Sequence, residues 1–226
     1  MITAILDAHI ASLQHDHKAS DSIYATDMSS CLRKVTMRRA GFKPTPFNAR
    51  TLRIFKVGDM YHNFITDAFE SQGVLVAKEV RGKKDNISLR ADAIVKSDAG
   101  NVLVEIKSVN SNKFTYIKAD SDPHYLMQTA INYYVLKDEY DLTTARLYYV
   151  SKDDLRTTEL DVPLGKWVPK ALEWVDELNG AWGVWTTKGR LPPKLADVKD
   201  KKGAIGRPWK CNYCNFKASC NKHIDK

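Results

Sequence analysis

Three strand-like segments follow one another in the middle of the chain, and they constrain the fold more than any other feature of the sequence. They cover residues 74–80, 87–95 and 102–107, and a hairpin turn is predicted at Asp98–Asn101. A helical period over residues 49–71 precedes them. Because helices and strands alternate in this way along the chain, we expect an α/β (α+β) fold with a central mixed β-sheet flanked by helices.

The remaining elements complete this layout. Asp122-Pro123 has the composition of a helix start, with Asp as the N-cap and Pro in the first turn. A second helix start is predicted at Ser29 or Ser30, with Gly41 just past the end of that helix. The other predicted elements are helices at 3–17, 122–137 and 164–182, strands at 113–118, 145–150 and 156–162, and a linker after Pro192-Pro193.

Two acidic residues and a lysine fall on the last two strands of the central run. Alternate residues of a strand share a face, so Glu105 and Lys107 point one way while Ile106 points into the core. If the two strands pair through the turn, Asp92 lies beside Glu105. Two carboxylates held together repel unless a cation intervenes, and hard oxygen ligands suit Mg²⁺ or Mn²⁺. The alternative is a cross-strand ion-pair cluster on a solvated face.

Four cysteines form a second candidate metal site. Cys211, Cys214 and Cys220 have the spacing C-x₂-C-x₅-C, and Cys31 is the fourth. Four cysteines in 226 residues do not make a disulfide scaffold, so metal binding is favoured. The spacing alone leaves two cofactors open: zinc, with His223 completing a Cys₃His site, or a [4Fe–4S] cluster held by four thiolates.

The charge of the chain indicates a polyanionic partner. The net charge is +8, and the basic residues concentrate in two segments. Residues 28–58 hold eight Lys or Arg and no acid, while residues 187–226 hold eleven and three acids. Nucleic acid is the first partner to consider, and a lysine-rich solubilising surface is the alternative. With no apolar run of membrane-helix length and no signal-like start, we expect a cytoplasmic protein without a membrane partner.

Taken together, these motifs resemble the PD-(D/E)XK nuclease superfamily. Asp92 corresponds to the leading acid, with Ala91 where many members have proline, and Glu105-Ile106-Lys107 to the E-x-K element. His62 in Gly58-x-x-x-His62 and Gln128 on a later helix are similar to positions of RecB-like nucleases. Those enzymes carry a tyrosine about one turn after the glutamine; here Asn132 is at i+4 and Tyr133 at i+5.

The cysteines narrow the resemblance to the iron–sulfur RecB-like nucleases. This group includes AddB-type nuclease domains and the CRISPR-associated exonuclease family, type four, and the match runs from about residue 24 to Cys220. The resemblance implies a restriction-endonuclease-like core in which Mg²⁺ or Mn²⁺ is bound and a lysine orients the attacking water. The implied metal ligands are His62, Asp92, Glu105 and the carbonyl of Ile106. The implied roles of the others are catalysis for Lys107, with Asp92 and Glu105, DNA contact for Gln128 and Tyr133, and [4Fe–4S] ligation for Cys31, Cys211, Cys214 and Cys220. Arg90 shares a strand face with Asp92 and is a further candidate for DNA contact.

The resulting prediction is a metal-dependent DNA exonuclease acting on single strands or DNA ends. We expect a single domain with an N-terminal helical segment at 1–48, a nuclease core at 49–162 and a C-terminal helix with the cysteines at 163–226. The cysteine cluster would join the two ends of the chain and bring their basic residues to one surface. Stand-alone relatives function in DNA processing, recombination or CRISPR-type spacer acquisition, some of them virus-encoded and acting in a host cytoplasm. A CRISPR integrase or recombination proteins are therefore the expected protein partners.

Two alternatives come from other functional classes. One is a non-cleaving DNA-binding or assembly protein with a structural iron–sulfur or zinc site. The other is a zinc-stapled nucleic-acid-binding module in which the acid cluster is coincidental. The complete set of Asp92, Glu105 and Lys107 argues against the non-cleaving protein. The zinc-stapled module stays open, and brown colour with acid-labile sulfide would distinguish an iron–sulfur protein from it.

Overall fold

A computed structural model of the chain describes residues 1–14, 19–118, 122–199, 205–206 and 208–223. The chain divides into two compact units, which are treated separately below. The catalytic candidates lie in a sheet unit made of residues 23–29 and 54–174. The four cysteines lie in a cysteine unit made of residues 1–22, 30–53 and 175–226. The sequence-based assignment to a single domain stays a prediction.

The predicted alternation of helices and strands is confirmed in most segments. The helices of the described residues are α1 (Ile2–Ser12), α2 (Leu32–Arg39), α3 (Ala49–Ser71), α4 (Ser111–Thr115), α5 (Pro123–Leu136), α6 (Leu164–Lys188), α7 (Trp209–Asn212) and α8 (Lys217–Lys222), with a 3₁₀ turn at Ala25–Asp27. The strands are β1 (Ile23–Tyr24), β2 (Leu75–Lys84), β3 (Ile87–Ser97), β4 (Gly100–Val109), β5 (Leu142–Ser151), β6 (Thr157–Asp161), β7 (Val198–Lys199) and β8 (Ile205–Gly206).

The sheet unit is built on a mixed β-sheet, as the sequence predicts. Among the described residues its strand order is β1-β3-β4-β5-β6, and β2 pairs with β3. The β2–β3, β3–β4 and β5–β6 pairs are antiparallel, whereas β1–β3 and β4–β5 are parallel. Helix α5 connects β4 to its parallel neighbour β5, as parallel pairing requires a crossover. The mixed sheet flanked by helices is therefore confirmed.

Strands β3 and β4 pair over only half of their length. Their ladder runs from Ser97–Gly100 to Ala93–Val104 and ends there. Strand β4 continues to Val109 paired with β5 alone. Asp92 and Glu105 are the first residues beyond the last pair, so both carboxylates lie where the two strands separate.

The core beneath this point follows the predicted alternation of β4. Val102, Val104 and Ile106 are buried in one cluster with Ile65 of α3 and Val150 of β5. Burial of side chains of this size contributes roughly 1.5–3 kcal/mol each, which holds α3 against β4. Because the odd-numbered neighbours point to the opposite face, Glu105 and Lys107 are directed away from this cluster.

In the cysteine unit, α2 is joined to the C-terminal segment by buried hydrogen bonds. Arg33 is 2% exposed, and its guanidinium donates to the carbonyl oxygens of Pro192 and His223, both at 2.7 Å. The backbone N–H of Thr45 donates to the carbonyl of Asn215 at 2.7 Å. These bonds join the two cysteine-bearing segments of the unit.

Three local predictions were wrong. Residues 111–115 form helix α4 rather than the start of a strand, because the Asn110 side chain accepts from the Lys113 N–H at 2.7 Å and caps the turn. Cys31, not Ser29 or Ser30, occupies the N-cap of α2. The segment predicted as a linker contains the antiparallel β7–β8 pair.

The structure contains no candidate membrane helix among the residues it describes: none combines sufficient length with sufficient hydrophobicity.

Candidate active site

The end of the β3–β4 ladder creates a binding position for a carboxylate. Beyond Ala93–Val104 the N–H of Ile106 has no β3 partner, and Asp92 accepts it at 2.7 Å with its Oδ2 atom. In a strand, the N–H and C=O of one residue point to the same side. The Ile106 carbonyl is therefore directed toward Asp92 as well, as the sequence-based ligand set requires.

Glu105 is held by three side chains. Its Oε1 atom accepts from Lys107 Nζ at 2.5 Å and from Gln128 Nε2 at 2.7 Å. Its Oε2 atom accepts from Asn132 Nδ2 at 3.0 Å. Gln128 and Asn132 are one helical turn apart on α5, so one face of this helix supplies both donors. Glu105 is 1% exposed, and this network fixes the orientation of its carboxylate.

Burial and the neighbouring charges together set the pKa values of Glu105 and Lys107. Burial and the nearby charge of Asp92 raise the pKa of Glu105 from 4.5 to about 7, against the opposing effect of Lys107. Burial lowers the pKa of Lys107, but the carboxylates of Glu105 and Asp92 outweigh it and raise that pKa above its usual value. Lys107 also lies 4.7 Å from the centre of the Tyr125 ring. The Lys107 ammonium therefore stays charged beside the two carboxylates.

His62 of α3 reaches the same site. Its Nδ1 atom lies 3.4 Å from Asp92 Oδ1, and its side chain is 26% exposed. Burial lowers the pKa of His62, but the hydrogen bond and the charge of Asp92 raise it by more, so the net shift of this pKa is upward. Burial raises the pKa of Asp92, whereas His62, Lys107 and the Ile106 N–H lower it, and the net shift is downward. Asp92 is therefore ionised and available to a cation.

Sequence reasoning missed one residue of this site, Glu79 on β2. Ligand atoms of His62, Glu79 and Asp92 all lie within 4.8 Å of one another. The pairs on either side, Lys78–Ala93 and Val80–Ala91, place Glu79 opposite Asp92. Nothing in the sequence marks Glu79, because β2 contains two consecutive charged pairs, Lys78-Glu79 and Lys83-Lys84, and does not alternate regularly.

The three candidate DNA contacts have different surroundings. Gln128 is buried against Glu105 and Lys107. Arg90 is largely exposed and pairs with Glu79 at 2.9 Å. Tyr133 is not brought to the carboxylates, because its hydroxyl donates to the carbonyl of Leu142 at 3.2 Å. Asn132 takes the position next to Glu105 that the resemblance suggested for a tyrosine.

In the cysteine unit the four cysteines, all of them within the described residues, form no disulfide and are half-buried. Burial raises the pKa of Cys214, and the nearby Cys31 and Cys220 thiols add to that effect. These three sulfurs are therefore electrostatic neighbours. Across the described residues, no three Cys or His ligand atoms lie within 4.8 Å of one another. The His223 ring packs edge-on against Phe42, with ring centres 4.9 Å apart.

Comparison with solved structures supports the fold. The chain is similar to SSO0001, at 21% identity over 99% of this chain and 98% of that chain, with a TM-score of 0.57. The alkaline exonuclease LHK-Exo from Laribacter hongkongensis is matched at 13% identity, over 82% of this chain and 97% of that chain, with a TM-score of 0.47. Its complex with dAMP is matched at 14% identity over the same shares, with a TM-score of 0.46.

The likeness to SSO0001 shows a shared fold and nothing finer. No family model matches the chain, and no curated protein matches it in sequence. The functional argument therefore rests on the site itself.

Proposed function

We propose that this protein is a divalent-metal-dependent DNA nuclease of the PD-(D/E)XK type. The observation that carries the proposal is the buried Glu105–Lys107 pair beside Asp92, at the point where β3 and β4 separate. A buried carboxylate whose pKa is raised to about 7 is costly for the fold. Such an arrangement is expected at a catalytic site more often than in a purely structural ion pair.

The donor set of the site fits Mg²⁺ or Mn²⁺. Asp92, Glu105 and the Ile106 carbonyl supply oxygen ligands and His62 supplies a nitrogen. Asn132 Oδ1 is buried without a hydrogen-bond partner. A buried acceptor of this kind beside Glu105 is consistent with a ligand or water that binds in this region. When bound, a divalent cation supplies charge stabilisation at the phosphoryl group and lowers the pKa of a bound water.

The chain's own residues supply orientation and proton control. Lys107 is positioned by Glu105 at 2.5 Å and by Gln128 at 3.4 Å, so its remaining N–H donors can orient a water or a phosphate oxygen. Gln128 and Asn132 fix Glu105, so they act as positioning residues. Arg90 is exposed and can reach a DNA phosphate, and Tyr133 is proposed to contact DNA through its ring, since its hydroxyl donates to the Leu142 carbonyl.

DNA is proposed as the substrate on grounds of charge. The basic segments 28–58 and 187–226 provide cations for a polyanion, except the buried Arg33 and Arg39, and phosphate neutralisation gives salt-dependent binding. Within this reading we propose exonuclease action on single strands or DNA ends. On the resemblance of the motifs, we further propose a role in DNA processing, recombination or CRISPR-type spacer acquisition. The protein would be encoded either by a cell or by a virus. A CRISPR integrase or recombination proteins would then be partners.

We also propose that Cys31, Cys211, Cys214 and Cys220 bind a [4Fe–4S] cluster. Tetrahedral zinc would bring its sulfurs to about 3.8 Å from one another, given Zn–S bonds of about 2.3 Å. No such close group occurs among the described residues, and the iron–sulfur cube separates its thiolates more widely. The packing of His223 on Phe42 further disfavours a Cys₃His zinc site. Cluster binding would add to the hydrogen bonds that already join α2 to the C-terminal segment.

End-labelled single- and double-stranded DNA tests the proposal. The wild type should release labelled products with Mg²⁺ or Mn²⁺ and none with EDTA, whereas Lys107→Met should retain DNA binding without cleavage. Binding without cleavage by the wild type in both metals would instead support the non-cleaving DNA-binding protein.

A further inference from the structure

We propose that Glu79 is a direct ligand of the divalent cation, in addition to the residues predicted from the E-x-K pattern. The inference rests on the proposed function, because it concerns the same cation. Glu79 lies on β2, outside every motif of the sequence analysis, and its carboxylate joins His62 and Asp92 in a group whose ligand atoms lie within 4.8 Å. Ligand atoms that share one cation with bonds of about 2.0–2.3 Å must approach one another this closely.

The backbone of β2 is distorted at this residue. Glu79 has φ +54°, in the left-handed region that non-glycine residues rarely adopt. The pattern of burial changes there: Leu75 and Ala77 are half-buried before it, whereas Val80 and Gly82 are the inward positions after it. The register with β3 stays in step from Ala77 to Lys84, so no residue is inserted here, and the distortion is a local turn of the backbone at Glu79 itself.

The consequence is a third carboxylate beside a buried carboxylate pair. The register of β2 and β3 brings Glu79 opposite Asp92, which is 8% exposed, and Glu105 is 1% exposed nearby. Glu105 Oε1 accepts two hydrogen bonds and Oε2 only one, so Oε2 keeps a lone pair for the cation, whereas Glu79 has an exchangeable partner at the surface. Placing like charges together is unfavourable unless a cation compensates them.

Arg90 supplies that compensation when no cation is bound. Its guanidinium lies 2.9 Å from Glu79 Oε2, and both side chains are about half exposed. Exposed ion pairs of this kind contribute little to stability, so their exchange for a metal bond has a low cost. Arg90 is then released toward solvent, where a DNA phosphate can replace Glu79 as its partner.

Mn²⁺ binding followed by electron paramagnetic resonance tests the assignment without any measurement of cleavage. Glu79→Gln should weaken Mn²⁺ binding by about tenfold or more, since even residues that only support a ligand cost 10–100-fold. Glu70→Gln is the matched control: Glu70 also forms a surface ion pair, with Lys78 at 2.7 Å, and should leave binding unchanged. Arg90→Ala should not weaken binding, because it removes a competitor for Glu79.

A glycine variant separates a ligand from a structural residue. Glycine adopts the left-handed region freely, so Glu79→Gly should keep or raise the thermal midpoint of the metal-free protein while still weakening Mn²⁺ binding. If Glu79 were only a structural residue, both Glu79 variants would bind Mn²⁺ like the wild type.

The outcomes also distinguish the two proposals. Asp92→Asn should weaken Mn²⁺ binding in any version of the proposed function. If Asp92→Asn weakens binding and Glu79→Gln does not, the role of Glu79 is refuted and the nuclease site stands. If the wild type binds no Mn²⁺, or if Asp92→Asn leaves binding unchanged, both proposals fail.

Discussion

Replacing Lys107 by methionine removes one buried positive charge while keeping a side chain of similar length. In the wild type, Nζ lies 2.5 Å from Glu105 Oε1, and the lysine side chain is 16% exposed. The substitution leaves Asp92 and Glu105 together with no ammonium between them. We therefore expect the metal-free variant to be less stable than the wild type at neutral and alkaline pH.

The pKa of Glu105 shows that ionising this group is already unfavourable with Lys107 present, and removing the ammonium adds to that cost. Burial raises this pKa from 4.5 to about 7 even with Lys107 present, and at about 1.36 kcal/mol per tenfold change this is a cost of about 3 kcal/mol for the ionised group. Removing one partner of a buried ion pair costs roughly 3–5 kcal/mol, in the same range. For a chain of this size, about 3 kcal/mol lowers the thermal midpoint by about 6–12 °C.

The loss should depend on pH in a defined direction. A carboxyl group whose folded pKa is raised destabilises the fold when ionised, so its cost is absent below the unfolded value of 4.5 and grows as pH rises through about 7. At pH 5 Glu105 is protonated in the folded state of both proteins, and the difference between them shrinks to the contribution of Asp92. At pH 8 the difference is largest.

Thermal unfolding of the metal-free proteins at pH 5 and pH 8, followed by circular dichroism, measures this difference. Lys78→Met is the matched control, because Lys78 pairs with Glu70 at the surface and should leave the midpoint unchanged. An equal loss for Lys107→Met at both pH values, or no loss at pH 8, would refute the reasoning about the buried pair.

Three further predictions follow from the same structure. Asn132→Leu should lower the cleavage rate about 10–100-fold, because it releases Glu105. Tyr133→Phe should leave the cleavage rate unchanged and lower the free energy of unfolding in urea by only about 1 kcal/mol. A larger loss of cleavage for Tyr133→Phe than for Asn132→Leu would contradict the assigned positions. Mn²⁺ affinity, measured by calorimetry, should rise between pH 5 and pH 8, because Glu105 with a pKa of about 7 and His62 with a raised pKa must lose protons to bind metal, and a flat profile would refute this coupling. Cys214→Ser should abolish the brown colour and acid-labile sulfide of anaerobically purified protein, and zinc without iron in the wild type would refute the cluster.

Strand β4 was predictable because its alternation of side chains depends only on neighbouring residues. Alternation along 102–107 fixes which residues face the core, and the observed cluster of Val102, Val104 and Ile106 confirms it. The proximity of Asp92 to Glu105 needed only the assumption that the strands pair through their turn. Helix α5 likewise begins at Pro123, as the Asp-Pro pair predicts.

The parts that escaped prediction depend on single local choices or on long-range packing. Phe114 and Thr115 have strand propensity, but the Asn110 cap makes that segment a helical turn. The role of Asn132 rather than Tyr133 depends on the rotation of α5 over β4, which no local pattern specifies. Glu79 required the left-handed residue in β2, and a glutamate gives no sequence signal of positive φ.

The most direct test of the central claim is the rate of metal-dependent cleavage of end-labelled single-stranded DNA under single-turnover conditions. Wild type and Lys107→Met are compared in Mn²⁺ at a temperature where both are folded. The proposed site predicts cleavage by the wild type and a loss of about 10²–10⁴-fold in the variant, the usual range for removing a group that controls proton transfer. Equal rates for the two proteins, or cleavage by the wild type that persists in EDTA, would contradict the assignment of this site as a metal-dependent nuclease centre.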